Sequence, residues 1–240
     1  MRRVLLTASV AMLVTACSPA PAPAPTPPAA KPAPVTTPAA EAPAPVEAET
    51  AAPIVETWEL PGDLNPLTTQ AQLEARFGKT NLREETFNGA EGMGTYPVLV
   101  AFPDDPAKRL ELMLDADNKD APIQELRVTN AESLWHDATG LRPGMSLAEL
   151  VALNGAPVSF YGLAWDYGGT VQDWHGGKLA NAVGNPLFRR VTLTARTGAD
   201  DNALPQGDAT FRSDDPKWAS AGKDMVVGEL GISWPHDGED

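Results

Sequence analysis

Cysteine occurs once in this 240-residue chain, at position 17. No internal disulfide can form, so any folded part has to stand on its own core. Histidine occurs three times, as His136, His175 and His236, with no pair at the helical spacing of a zinc site. Basic residues number 18 against 32 acidic ones, a formal charge of −14. That balance argues against nucleic-acid binding and against charge-driven adhesion to anionic lipid. The longest apolar run, Val4 to Ala16, is too short to span a bilayer. No GxGxxG, P-loop, HExxH or GxSxG string stands in its required context, so nothing points to nucleotide chemistry or a familiar hydrolase.

What the chain does have begins at its first residues. Arg2 and Arg3 precede the apolar run, and together they read as a signal peptide over residues 1–16. The run closes on Val14-Thr15-Ala16-Cys17, which resembles the lipobox of bacterial lipoproteins. That resemblance implies cleavage before Cys17, acylation of its thiol and new amine, and attachment to a membrane through lipid. Several acyl chains, at about 0.8 kcal/mol per buried methylene, make such an anchor effectively permanent. Ser18, by the same resemblance, favours the outer membrane, on its periplasmic face. Loss of residues 1–16 removes two arginines and no acid, which leaves 16 basic against 32 acidic residues, a charge of −16.

Residues 17–56 hold 12 of the 24 prolines, and most of the rest is Ala, Thr, Val or Glu. Such a tract cannot bury enough apolar surface to offset its ordering entropy, and it reads as a disordered stalk.

The remaining residues predict an α+β domain made of two related halves, 57–139 and 140–240, packed together. The motivation is an internal echo. "TTQAQLEARFG" (68–78) lies over "MSLAELVALNG" (145–155). Thr69 and Ser146 are candidate N-caps. Gln72 and Glu149, three residues on, complete capping boxes, and Gly78 and Gly155 supply the stops. Strands are expected at 95–102, 109–114, 123–128, 158–164, 169–174, 188–195 and 225–234. A further short helix is expected over 215–222, with Asp215 as cap, Pro216 first and Gly222 at its end. Helices at segment starts followed by antiparallel meanders fit helices laid on one sheet face.

The string "GLRPGMSLAELVALNGAP" (140–157) resembles the repeat of small outer-membrane assembly lipoproteins of the BamE/OmlA type and of the β-lactamase inhibitor proteins. It departs from them at Asn154 and in lacking the inhibitors' disulfides. The longer string through "GLAWDYGGTVQDWHGGKL" is similar to uncharacterised envelope lipoproteins. The resemblance implies a helix leading into an antiparallel meander and a role among envelope proteins.

Three readings compete for "GLAWDYGGTVQDWHGG" (162–177). In the first, "DYGG" turns a structural hairpin whose Trp165 and Trp174 pack across the sheet. In the second, Trp165, Asp166, Tyr167, Asp173, Trp174 and His175 line a ligand-binding rim. In the third, Asp166, Asp173 and His175 support acid–base catalysis. The hairpin is preferred, then the rim, because no Ser or Cys stands in a nucleophile motif. "DADNKDAP" (115–122) spaces Asp115 and Asp117 like calcium ligands, but Lys119 holds the third ligand position, so a plain hairpin loop is the better reading. No metal or cofactor is expected. The sequence thus points to a non-enzymatic, lipid-anchored envelope protein that binds another envelope protein. The alternative is a periplasmic inhibitor or sensor taking a ligand or cell-wall glycan on the Trp165–Trp174 loop.

Overall fold

A computed structural model describes residues 57–89, 93–115, 122–181 and 185–234. The signal, Cys17 and the stalk lie outside the described residues, as do Asp117, Lys119 and His236.

Both capping boxes form. In α1 (Gln70–Phe77) the Thr69 hydroxyl accepts from Gln72 N while Gln72 Oε1 accepts from Thr69 N at 2.8 Å. In α2 (Leu147–Asn154) Glu149 Oε2 accepts from Ser146 N at 2.7 Å and Ser146 Oγ from Glu149 N at 3.2 Å. Gly78 and Gly155 follow with positive φ, the conformation that a side chain would strain.

The longer expected strands form close to their limits: β3 (Thr95–Ala101), β4 (Leu110–Leu114), β5 (Ile123–Val128), β9 (Phe188–Ala195) and β11 (Met225–Ser233). With β2 (Leu82–Asn88) they make one antiparallel six-stranded sheet in the order β2-β3-β4-β5-β11-β9. The segment 115–122 joins two antiparallel strands, and Asp115 N bonds Pro122 O at 2.7 Å, so the hairpin reading of its ends holds. The alternation of side chains across a strand divides the sheet's two faces. Leu99, Leu110, Leu112, Leu126, Val191 and Leu230 point to one core with Leu73 and Phe77 of α1 and Leu147 and Leu150 of α2. Both helices therefore cover the same face. Their core includes an aromatic cluster in which Trp135 meets Trp58 edge-on at 4.9 Å and Phe77 meets Phe102 at 5.7 Å.

Two further pairings lie outside that sheet. β1 (Glu59–Leu60) runs parallel to β6 (His136–Asp137). β7 (Ser159–Tyr161) is the centre of a three-stranded sheet, between β8 (Val171–Asp173) and β10 (Thr210–Arg212). The strand expected at 158–164 ends early because Gly162 N and Leu163 N bond Ala209 O and Pro205 O instead. The expected helix over 215–222 is also divided. Asp215 caps Lys217 N at 2.9 Å with Pro216 first, but only a 3-10 turn follows. Ser220 then donates to Ala203 O at 3.1 Å, and a separate α3 (Ala221–Asp224) contains Gly222 rather than ending on it. All described strands from 57 onward belong to one unit, 48–240.

Among the described residues the second face of the large sheet carries no helix. It is covered by ions. Arg83 and Arg109 both hold Glu85, Arg109 and Arg127 both hold Glu111, and Arg190 joins Glu229 to Glu125. On the same face Val98, Val100 and Met113 form a small buried cluster, with Phe87 and Tyr96 packed against it. The hydrogen bond from Arg109 at 2.7 Å, helped by Arg83, holds the Glu85 carboxyl below the usual carboxylate range. A carboxyl with a lowered folded pKa adds stability above its unfolded value, about 4.3, and that stability is lost as pH falls through the folded value. Acidification below about pH 4 is expected to lower the melting temperature more steeply in the wild type than in Glu85→Gln. Thermal melts across the acid range read the difference directly.

Candidate functional site

The stretch 162–177 forms the hairpin of β7 and β8 and the loop that follows it. Gly162 and Gly169 are required by close approach. A Cβ on Gly162 would sit 2.6 Å from Gly207 O, and one on Gly169 would sit 1.9 Å from Leu193 O. Gly169, at φ +78°, accepts from Leu193 N at 2.8 Å, and Thr170 bridges Thr192. The turn therefore lies along the outer edge of β9 and closes that side of the large sheet. Gly169→Ala is expected to cost at least about 1–3 kcal/mol from backbone strain, measured by urea denaturation.

Trp165 lies in the turn and not on a strand. Its Nε1 donates to Gly162 O at 2.9 Å, and its ring meets Tyr161 at 5.1 Å and Tyr167 at 5.4 Å. Its ring contacts are thus with the two tyrosines rather than across the sheet with Trp174. Tyr167 is 65% exposed at the tip, and Asp166 beside it is exposed. A cleft of about 500 Å³ runs beside the turn, lined by Trp165, Leu163, Thr192, Thr194, Asp201 and Gln206.

Trp174 turns the other way, into the core, at 9% exposure. Asn154, the departure from the resembled repeat, explains how its backbone is held. Fully buried, Asn154 donates from Nδ2 to Trp174 O and Ala156 O, both at 2.9 Å, and accepts on Oδ1 from Leu179 N at 3.1 Å. Gly177 packs flat on this amide, where a Cβ would come within 2.2 Å of Oδ1. Asn154→Asp keeps the shape but puts an acceptor against two carbonyls. It is expected to lose about 1–3 kcal/mol for each carbonyl left unpaired, measured by chemical denaturation.

His175 stands at φ +49°, with Asp173 Oδ1 accepting from its backbone N–H at 2.7 Å. Its Nε2 is 2.8 Å from Ser159 Oγ, and its Nδ1 is 3.6 Å from Asp173 Oδ2. Ser159, Asp173 and Arg212 share one rung of the three-stranded sheet. Arg212 Nη1 reaches within 3.3 Å of the ring while its fork holds Asp214 at 2.9 Å, and this pairing keeps the Asp214 carboxyl below its usual range. Of the expected acid–base group, Asp173 and His175 come together and Asp166 stays apart in the turn. Ser159 and Arg212 join them without any local motif, because register alone brings them there.

The order Ser–His–Asp has the atoms of a nucleophile, base and orienting acid. Its geometry opposes that use. The His–Asp gap exceeds hydrogen-bond reach. Ser159 is also buried on the central strand. As arranged, the group stitches three strands together.

Among the described residues the most heavily bonded acid is Asp137. Its Oδ1 accepts from Thr139 N, Thr139 Oγ1 and Leu141 N at 2.8, 2.6 and 3.0 Å, and its Oδ2 accepts from Arg189 Nε at 2.7 Å and Nη2 at 2.6 Å. Every direction of approach is taken, so this carboxylate is structural. Among the described residues no group of three His, Cys, Asp or Glu is placed to hold a metal ion, and no helix is long and apolar enough to cross a membrane. No family model, curated protein or solved structure matches this chain.

Proposed function

We propose that this chain is a lipid-anchored cell-envelope protein that performs no chemistry of its own and binds another envelope protein through its α+β domain. The observation that carries the reading is Val14–Cys17: the chain's one cysteine closes a charged-then-apolar leader and is followed by 12 prolines before residue 57. A thiol in that position serves acylation, and a proline-rich tract serves to carry a folded domain away from the membrane. Ser18 supports the outer membrane, periplasmic face. The paired capping boxes at Thr69/Gln72 and Ser146/Glu149 support descent of the halves 57–139 and 140–240 from one helix-plus-meander unit, in keeping with the resemblance to small assembly lipoproteins. The constrained Ser159–His175–Asp173 geometry favours a binding role over catalysis.

Expression in a Gram-negative host tests the anchor. The wild type is expected in the membrane pellet with acyl mass on Cys17, and Cys17→Ser is expected to lose that mass and the sedimenting fraction. An unmodified mature terminus on a freely soluble wild type would remove the reading.

The inhibitor-or-sensor alternative draws support from one feature, the exposed Tyr167 beside the Trp165 cleft. With Trp174 facing the core, a glycan would stack on Tyr167 and Trp165. On that reading Tyr167→Ala abolishes retention on a peptidoglycan column while leaving the melting temperature unchanged. Equal retention of wild type and variant would dismiss it.

A further inference from the structure

The two edges of the six-stranded sheet are treated differently. The β9 edge is closed by the Gly169 turn, through Leu193 N to Gly169 O and the Thr170–Thr192 bridge. Among the described residues the β2 edge has nothing equivalent. Bonds at both ends of the β2–β3 pair, Phe102 N to Asn81 O and Gly89 N to Gly94 O, set the alternation along it. Odd-numbered residues bond inward to β3, so Glu84, Thr86 and Asn88 turn their N–H and C=O groups to the open side. Among the described residues none of these six groups has a hydrogen-bond partner.

Proteins ordinarily blunt such an edge with charge. Here Arg83 and Glu85 are both drawn into the ion network on the outer face. Glu84 alone points to the inner side, exposed and without an ion-pair partner among the described residues. Beside it runs a mainly apolar groove of about 580 Å³, lined by Leu67, Leu73, Leu99 and Ile123, with Glu84 and Asp115 as its charged members. Leu67 is 65% exposed there and adds to the groove's apolar lining.

We infer that the β2 edge and this groove take an extended segment of a partner protein as a seventh strand, with alternate side chains apolar and cationic. Main-chain bonds to Glu84, Thr86 and Asn88 supply affinity, and the groove selects the side chains that face it. The cationic preference follows from Glu84 and from the chain's overall acidity, which steers a basic partner inward. A second copy of this chain fits less well, because it brings the same acid and the same net charge. The inference rests on the protein-binding reading and assigns it a site.

The test uses the full mature chain in detergent and a fluorescent octapeptide of alternating valine and lysine. Saturable anisotropy binding is expected. Thr86→Pro removes an outward N–H and no internal ladder bond, so the variant keeps its far-ultraviolet spectrum and melting temperature. It should bind roughly tenfold more weakly, and Glu84→Lys should weaken binding to a similar degree. Unchanged affinity in both variants, no saturable binding by the wild type, or a dimer that Thr86→Pro dissolves in sedimentation would each overturn the site. In-cell crosslinking separates the two levels. A partner captured equally by wild type and Thr86→Pro keeps the protein-binding reading and discards β2, and no partner in either discards both.

Discussion

Asp137→Ala is expected to cost the domain about 3–5 kcal/mol, the range for breaking a buried ion pair by removing one partner. Asp137 is 2% exposed, and its two oxygens take five donors. Truncation leaves the half-buried Arg189 guanidinium without its counter-charge. It also strips Thr139 N and Leu141 N of their acceptor. Arg189 reaches Leu179 O at 2.8 Å as well, so the loss spreads to the loop beyond His175 that Asn154 anchors. Asp137→Asn separates charge from shape. It keeps one acceptor oxygen but turns an amide toward Arg189, and it should lose nearly as much. Urea melts of the three proteins check the order. If Asp137→Asn matches the wild type, charge is not what holds this junction.

Trp135→Ala is expected to cost a similar amount, about 3–5 kcal/mol, by a different route. The ring is fully buried, meets Trp58 at 4.9 Å and Phe77 at 6.3 Å edge-on, and donates from Nε1 to Lys108 O at 2.7 Å. Its removal opens a cavity where the N-terminal strand, α1 and the β3–β4 turn converge. For a domain of this size the melting temperature should fall by roughly 10 °C, at about 2–4 °C per kcal/mol. Trp135→Phe refills part of the volume and leaves Lys108 O unpaired. Its melting temperature should therefore fall between those of the wild type and Trp135→Ala.

Much of this was legible in the residues. The capped helices were, because a capping box is a bond between neighbours three apart and needs no tertiary partner. So were β3, β4, β5, β9 and β11, whose apolar and β-branched runs stand between turns rich in Pro, Asp, Asn and Gly. The edge strand β2 was not. "LREETFN" shows no apolar alternation, because one of its sides is satisfied by Arg109 and its neighbours and the other stands open. The roles of Asn154, Asp137 and Ser159 were illegible for a related reason: besides local bonds, Asn154 and Asp137 have partners 20 and 52 residues away in the chain, and Ser159 meets its neighbours across a sheet rung.

Local order in the chain determined the limits of α1 and α2 and the α+β class, and it carries the expectation of a leader ending at Cys17 and of a proline-rich stalk. These depend on composition, spacing and near-neighbour bonds. Tertiary structure alone decided that Trp174 faces inward while Tyr167 faces out, that Asp166 stands apart from His175, that the glycine-rich turn seals β9, and that β2 is left open. Each is a matter of which strands lie side by side, and strand pairing is set by burial of the whole core rather than by any short run of residues.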